Sequence, residues 1–242
     1  MRKDYGERYR DLYQRHWWWR ARERVILNML RARQPAHGWK RLLDVGCGDA
    51  LFFDELAQFG EVQGVESEES LISRDNPHRA RIHIGRFDLT SQFDGKFSVV
   101  LMLDVLEHLA DPVTALRYAI ELLAPDGILL ATVPAFNALW TNHDMINQHY
   151  VRFTKQSFRK LANDAGLRIE EERYFFHWLF PIKIVARGVE GAFNSQPAPA
   201  RVPAQWINKL LYGFSRLEDR TWGRLNLPFG SSLMVVGRKP AL

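Results

Sequence analysis

The stretch Leu42-Leu43-Asp44-Val45-Gly46-Cys47-Gly48-Asp49-Ala50 runs two branched apolar residues into an acid and then into a turn with glycine at alternate positions. The apolar pattern Ala50-Leu51-Phe52-Phe53 follows directly. This is the pattern of a strand, a glycine turn and a helix start. Glycine suits a backbone that passes close to a ligand, because it leaves room where a Cβ would clash and tolerates positive φ. The same Gly-x-Gly is also an ordinary way to turn from strand to helix, so alone it leaves both readings open.

Spacing favours the ligand. Val62-Gln63-Gly64-Val65-Glu66 reads as the next strand and ends in an acid twenty residues after Gly46, where a nucleotide-binding α/β unit places a carboxylate for ribose hydroxyls. Leu51 stands where a dinucleotide site needs a third glycine beside the pyrophosphate, which disfavours NAD and FAD. A nucleoside without phosphates fits better.

Four motifs in this order, Asp44-Val45-Gly46-Cys47-Gly48, Glu66, Phe87-Asp88-Leu89 and Asp104-Val105-Leu106-Glu107-His108-Leu109, resemble the class I S-adenosylmethionine (SAM) dependent methyltransferases, with small-molecule members of the ubiquinone/menaquinone type most similar. The resemblance covers roughly residues 40 to 135. It implies a Rossmann-like α/β fold with a seven-stranded, mostly parallel sheet whose last strand is antiparallel, and helices on both faces. It implies SAM as co-substrate, held by Asp44, Gly46, Cys47, Gly48, Glu66, Ser67, Asp88, Leu89, Leu103 and Asp104. Within that set Asp44 would meet the SAM amino group, Asp88 the adenine amino group, and the Leu89 N–H the adenine ring. Asp44 also suits a helix cap and Asp88 a turn.

The 242 residues suit one domain with elaborations, divided into a cap helix over 1–38, a SAM-binding core over 39–170, strand six with a helical insertion over 171–230, and a terminal strand over 231–242. No apolar run approaches the roughly 20 residues of a membrane span. With a charged, aromatic N-terminus and a single cysteine, Cys47, the expected location is cytoplasmic. Charge is uneven: residues 1–33 hold ten Lys/Arg against four Asp/Glu, and residues 172–242 again ten against four, around an acidic middle. Such flanks are either solvated helix faces or an attraction for an anionic substrate or a membrane surface.

Residues 7–33 read as one long helix carrying Trp17-Trp18-Trp19, whose three rings cannot share a face. It resembles the leading helix that closes over the cofactor and acceptor pocket in small-molecule family members. Trp39–Val45, Glu61–Glu66, Arg81–Phe87 and Ile128–Val133 read as strands, and Asp49–Phe59 as a helix. Phe97–Leu103, continuously apolar, suits a central parallel strand buried on both faces. Asp111-Pro112 opens a helix, and Thr154 caps another that Gly166 closes.

Asp104, Glu107 and His108 fall on one side of a helical turn, where a carboxylate would raise the basicity of the imidazole. His108 and Glu107 then suit general-base work on an acceptor hydroxyl, or hydrogen bonds to neighbouring loops. The same three could hold a divalent cation, but many relatives with a similar Glu-His use none, and no metal is expected. Trp140–Asp144 and His149–Thr154 resemble an acceptor-side loop, with His143 and His149 as acceptor contacts. A zinc site is not expected there, since a third ligand is missing.

Beyond strand six lies an apolar stretch from Phe175 to Arg187, a Pro/Ala/Gln linker over 194–203, and an amphipathic helix over 205–224 with Trp206, Leu210, Phe214, Leu217 and Trp222, pieces expected to roof the pocket, with a membrane-surface dock or a partner as the alternative. The reading is a methyltransferase acting on a small or lipid-like molecule, most simply at oxygen, with possible peripheral membrane contact and no set oligomeric state. Nucleic-acid substrates are disfavoured, because Asp104 is not followed by the Pro-Pro-aromatic run of base-modifying enzymes. A protein substrate or a non-catalytic SAM-binding scaffold are the rivals.

Overall fold

The structure is a computed structural model that describes residues 3–89, 91–193 and 200–240. Its centre is a seven-stranded sheet in the order β3-β2-β1-β4-β5-β7-β6. The strands are β1 (Arg41–Val45), β2 (Glu61–Glu66), β3 (Ile82–Ile84), β4 (Phe97–Leu103), β5 (Leu123–Pro134), β6 (Arg168–Phe175) and β7 (Ser232–Arg238). β1 to β5 pair in parallel, while β7 runs antiparallel between β5 and β6. The apolar run Phe97–Leu103 is β4, flanked by β1 and β5, as a strand covered on both faces must be.

Helices α1 (Lys3–Arg15), α2 (Trp17–Arg33), α3 (Phe53–Leu56), α4 (Pro112–Glu121), α5 (Asn142–Ile146), α6 (Lys155–Ala165), α7 (Leu179–Phe193) and α8 (Gln205–Arg220) complete the fold. Two apolar clusters form on opposite sides of the sheet. One joins Trp17, Ile26 and Leu30 of α2 to Leu42, Phe53, Val99 and Leu101. The other joins Leu116 of α4 and Phe158 of α6 to Leu43, Val100 and Met102. Alternate residues of β1 and β4 thus enter alternate clusters, as the period of two in a strand requires.

Capping explains several boundaries. Asp111 accepts from the Thr114 N–H at 3.1 Å, with Pro112 in the first turn of α4, and Thr154 and Ser157 form a reciprocal capping box at the start of α6. The expected long N-terminal helix is two. His16 adopts an extended conformation and its Nδ1 accepts from the Trp18 N–H at 3.2 Å, so it caps α2 and ends α1. Asn208 of α8 holds that break, accepting from the Trp17 N–H at 2.8 Å and donating to the Arg15 carbonyl at 2.7 Å. The expected helix over 49–59 shortens to one turn, α3, because Ala50 takes a positive φ of 52° and the chain turns before it winds.

β3 is shorter than expected, and β5 is longer: it continues through Pro125-Asp126-Gly127 with a register shift against β4. The largest correction concerns α8. Trp206, Leu210, Phe214 and Leu217 face outward at 70, 59, 42 and 48 % exposure, whereas Ser215, Glu218 and Asp219 are buried. The helix packs inward through the face that holds its two acids, so the apolar stripe does not roof a pocket. Residues 194–199 of the expected linker lie outside the described residues.

Candidate active site

Strand order reverses between β1 and β4, and the carboxyl ends of these two strands are where an open α/β sheet opens a crevice for ligands. Asp44 sits in the penultimate position of β1, and Asp104 follows the last residue of β4, half-buried Leu103. The glycine turn is locked to β2: the N–H groups of Gly46 and Cys47 both donate to the Val65 carbonyl, at 2.8 and 3.1 Å. Gly46 has φ +72°, and a Cβ there would lie 2.7 Å from Val105 Cγ2, so the turn and the loop after β4 touch where only glycine fits. Gly64 of β2 is a second close approach, its absent Cβ lying 2.5 Å from Cys47 Sγ and 2.7 Å from Phe53 Cζ.

Glu66 ends β2 as expected and braces the turn. Its Oε2 accepts from the Gly48 N–H at 2.9 Å, its Oε1 from the Glu68 N–H at 2.8 Å, and Ser67 Oγ stands 3.4 Å from Oε1. Asp44 is buried, and burial, reinforced by the charge of Glu66 and opposed by Arg22, pushes its carboxyl up to about 7. Burial also raises the Cys47 thiol, so it is neutral and packs rather than reacts. Asp88 and exposed Leu89 lie in the loop beyond β3, where Ser91 donates its N–H to the Asp88 carbonyl at 3.0 Å.

The N-terminal helices reach this edge. Arg10 of α1 pairs with Asp49 at 2.5 Å, and Asp49 also accepts from the Ser73 N–H and from Asn76 Nδ2, both at 2.7 Å. Arg22 of α2, buried, pairs with Asp104 through Nε to Oδ2 at 2.8 Å. Neither Asp49 nor Arg22 stood among the expected site residues: their sequence neighbours give no hint of partners so far along the chain.

Asp104 holds φ +55°, a left-handed conformation that Asp tolerates better than most residues, and Thr132 Oγ1 donates to its Oδ1 at 3.2 Å. Glu107 follows in a 3-10 turn over Leu106–His108. It is buried, neither carboxyl oxygen has a hydrogen-bond partner among the described residues, and burial next to Asp104 drives its carboxyl well above the usual range.

The expected gain in basicity of His108 from a carboxylate is outweighed. Burial and neighbouring His149 lower the imidazole, against a smaller opposing effect of Asp104. The two imidazoles meet edge to face with ring centroids 4.6 Å apart. The carboxylate pairs with His149 instead: Asp144, fully buried, accepts from His149 Nδ1 at 2.8 Å and receives Arg152 in a two-pronged pair, Nε to Oδ1 at 2.8 Å and Nη2 to Oδ2 at 2.9 Å. Burial alone would raise Asp144, but His149, Arg152 and the Thr141 N–H hold it well below the usual carboxylate range. The His143 side chain lies outside the described residues.

Lys183 of α7 was not foreseen, because it stands in an apolar stretch. Burial lowers its ammonium to about 8, with Arg152 adding to the effect and Asp144 and Asp104 opposing it. Arg187, one turn on, donates to the carbonyls of Asn137 and Ala138, while Asn137 Oδ1 accepts from the Arg152 N–H at 3.0 Å. The insertion thus contributes a cation to the Asp144 side of the site. Glu107, His108 and His149 each offer a ligand atom within 4.8 Å of the others, a set of one carboxylate and two imidazoles that suits a borderline divalent cation.

Comparison with known proteins agrees with this geometry. Residues 2–172 match the model of a family described as a methyltransferase domain. A ubiquinone biosynthesis O-methyltransferase from Caulobacter sp. (strain K31) is 38 % identical over 106 residues, 40 % of this chain and 42 % of that protein, so the match spans less than half of the relative's length. The protein of the same name from Thiobacillus denitrificans (strain ATCC 25259 / T1) is 30 % identical over 176 residues, covering 60 % of this chain and 71 % of the relative. Among solved structures, a TehB-like SAM-dependent methyltransferase from Corynebacterium glutamicum superposes with a TM-score of 0.55 at 16 % identity, over 98 % of this chain and 97 % of that one, which shows a common fold. With this sheet order, a glycine turn at its switch point and a family match across residues 2–172, the chain belongs to the methyltransferase-domain family of class I, SAM-dependent proteins.

Proposed function

We propose that this protein transfers the methyl group of SAM to an oxygen of a small or lipid-like molecule. One observation carries the choice of oxygen: Asp144 takes the Nδ1 proton side of His149, which leaves Nε2 as the proton acceptor, on a side chain that groups with Glu107 and His108. In the step, an acceptor oxygen attacks the sulfonium methyl in line, the carbon–sulfur bond breaks with its electron pair going to sulfur, and the hydroxyl proton passes to His149. Arg152 keeps Asp144 ionised, so the imidazolium that forms is stabilised. Much of the remaining rate comes from holding the acceptor oxygen in line with the methyl carbon and the sulfur it leaves.

On this reading SAM lies across the β1 and β2 ends, its ammonium on Asp44 and its ribose near Glu66, with Gly46, Cys47, Gly48, Ser67, Asp88, Leu89, Leu103 and Asp104 lining the same cleft. His108 and Lys183 face the acceptor. The relatives' names, ubiquinone biosynthesis O-methyltransferase, favour an O-methylation of this kind. An S-adenosylhomocysteine release assay with hydroxylated aromatics, amines and carboxylic acids as acceptors tests the reading. Turnover confined to hydroxyl acceptors and cut at least about a hundredfold in His149→Ala, with SAM affinity intact, supports it; turnover on amines alone, or unchanged turnover in His149→Ala, removes it.

A second reading rests on Glu107, whose buried carboxyl oxygens have no hydrogen-bond partner among the described residues and lie close to ring nitrogens of His108 and His149. A divalent cation bound by these three would acidify an acceptor hydroxyl directly. Dialysis against a chelator separates the two: activity restored only by added divalent metal supports the cation, and activity unaffected by the chelator supports His149 acting alone.

A further inference from the structure

We propose that the outward face of α8 docks the protein on the surface of an anionic lipid bilayer. Spaced by four, four and three residues, exposed Trp206, Leu210, Phe214 and Leu217 fall within an arc of about 80° at about 100° per residue. Lys209, Arg216 and Arg220, all exposed, form a second stripe directly beside it, within about 40° of one another.

The helix carries only two acids, and both are turned inward. Glu218 accepts from the N–H groups of His177 and Trp178 at 3.0 and 3.3 Å, and Asp219 accepts from Asn28 Nδ2 at 2.7 Å. Every exposed charge of α8 is therefore positive. A protein partner of mixed surface charge does not call for this sorting. An interfacial helix does: it presents tryptophan and aliphatic residues to the headgroup boundary and lysine and arginine to anionic headgroups. The 16 residues of α8 span about 24 Å, enough to lie along such a surface. None of the described helices is long and apolar enough to cross a membrane, so the contact is peripheral.

Trp178, just before α7, meets Phe214 edge to face at 5.3 Å, and α7 itself exposes Ile182 and Val185 at 52 and 66 % while its Lys183 turns toward the acceptor side. The helix that would rest on the bilayer is thus joined to the one that borders the acceptor site. Docking goes beyond methyl transfer and fails or stands independently of it.

Cosedimentation of the full chain with vesicles tests the proposal, using phosphatidylcholine alone and phosphatidylcholine with about one third phosphatidylglycerol. The expected result is binding to the anionic vesicles that weakens with salt. Trp206→Ser with Leu210→Ser, and separately Lys209→Glu with Arg216→Glu, should each lower the partition constant about tenfold or more. All four positions are exposed and outside the cofactor cleft, so melting temperature and SAM affinity should match the parent, and a variant that keeps both yet loses vesicles cannot be misfolded. No binding to anionic vesicles, equal binding to neutral ones, or parental binding in both variants would overturn the proposal. So would a dimer dispersed by the Trp206→Ser and Leu210→Ser pair in a chain that ignores vesicles, since a second copy would then cover the face.

Discussion

Arg22, in the second turn of α2, places Nε 2.8 Å from Oδ2 of Asp104 at the tip of β4, joining the N-terminal helices to the carboxyl edge of the sheet. The guanidinium is buried and also lies over the Trp18 ring at 5.5 Å, so the triple tryptophan segment and the ion pair support one another. Replacing Arg22 by Met leaves Asp104 without its cation in a setting of low polarity. The expected cost is about 3 kcal/mol, the low end for breaking a buried pair, because Asp104 keeps some access to water. Denaturant midpoints measure it, and Arg22→Met with Asp104→Asn should recover part of the loss.

Burial pushes the Asp44 carboxyl up to about 7, and in the proposed placement of SAM only its ionised form would pair with the ammonium. SAM binding should therefore take up the cost of deprotonating Asp44 as pH falls through about 7, and the affinity at one unit below that value should be about tenfold weaker than its plateau. Calorimetry across pH 5.5 to 8.5 checks this. Asp44 is a carboxyl raised in the folded state, so its own effect on stability has the opposite sense: the empty protein loses stability as pH rises from the unfolded value toward 7.

Asp144 makes the reverse case. His149 and Arg152 depress it, so its stabilisation is fully present above the unfolded value of about 3.9 and is lost as pH falls below it. Asp144→Asn leaves Arg152 buried without its counter-charge, at an expected cost of about 3–5 kcal/mol at pH 7. Acid unfolding curves check both points: the parent should steepen below about pH 4 and the variant should not.

Much of the fold was legible because burial on two faces leaves a trace in one strand. Phe97–Leu103 had to be central, and a glycine turn between an apolar strand and an apolar helix start had to sit at the switch point. The break at His16 was not legible, since it depends on a ring nitrogen reaching the Trp18 N–H and on Asn208 far along the chain. Nor was the orientation of α8. Periodicity shows that a helix has two faces, and by default the apolar one is taken as buried; here Glu218 and Asp219 are buried because His177, Trp178 and Asn28 supply their donors. In the site, His149 was expected but its partner was not: Asp144 and Arg152 stood out only as members of a loop pattern, and their convergence is a matter of three dimensions.

Gly46 tests whether the turn requires glycine for shape or for space. Alanine there meets both a positive φ and Val105 Cγ2 at 2.7 Å. Gly46→Ala should cost at least about 2 kcal/mol, and Val105→Ala in the same chain should return the steric part while the strain of about 1 kcal/mol remains. Thermal unfolding of the three variants separates the contributions, and SAM affinity should follow the same order.

Whether an adenosyl group occupies the ends of β1 and β2 is decided most directly by calorimetric titration with S-adenosylhomocysteine. The parent chain should bind one equivalent, Asp44→Asn and Glu66→Gln should each bind at least about tenfold more weakly, and His149→Ala should bind as the parent does. A parent chain that gives no heat, or the two carboxylate variants binding as tightly as the parent, would contradict the assignment of this cleft.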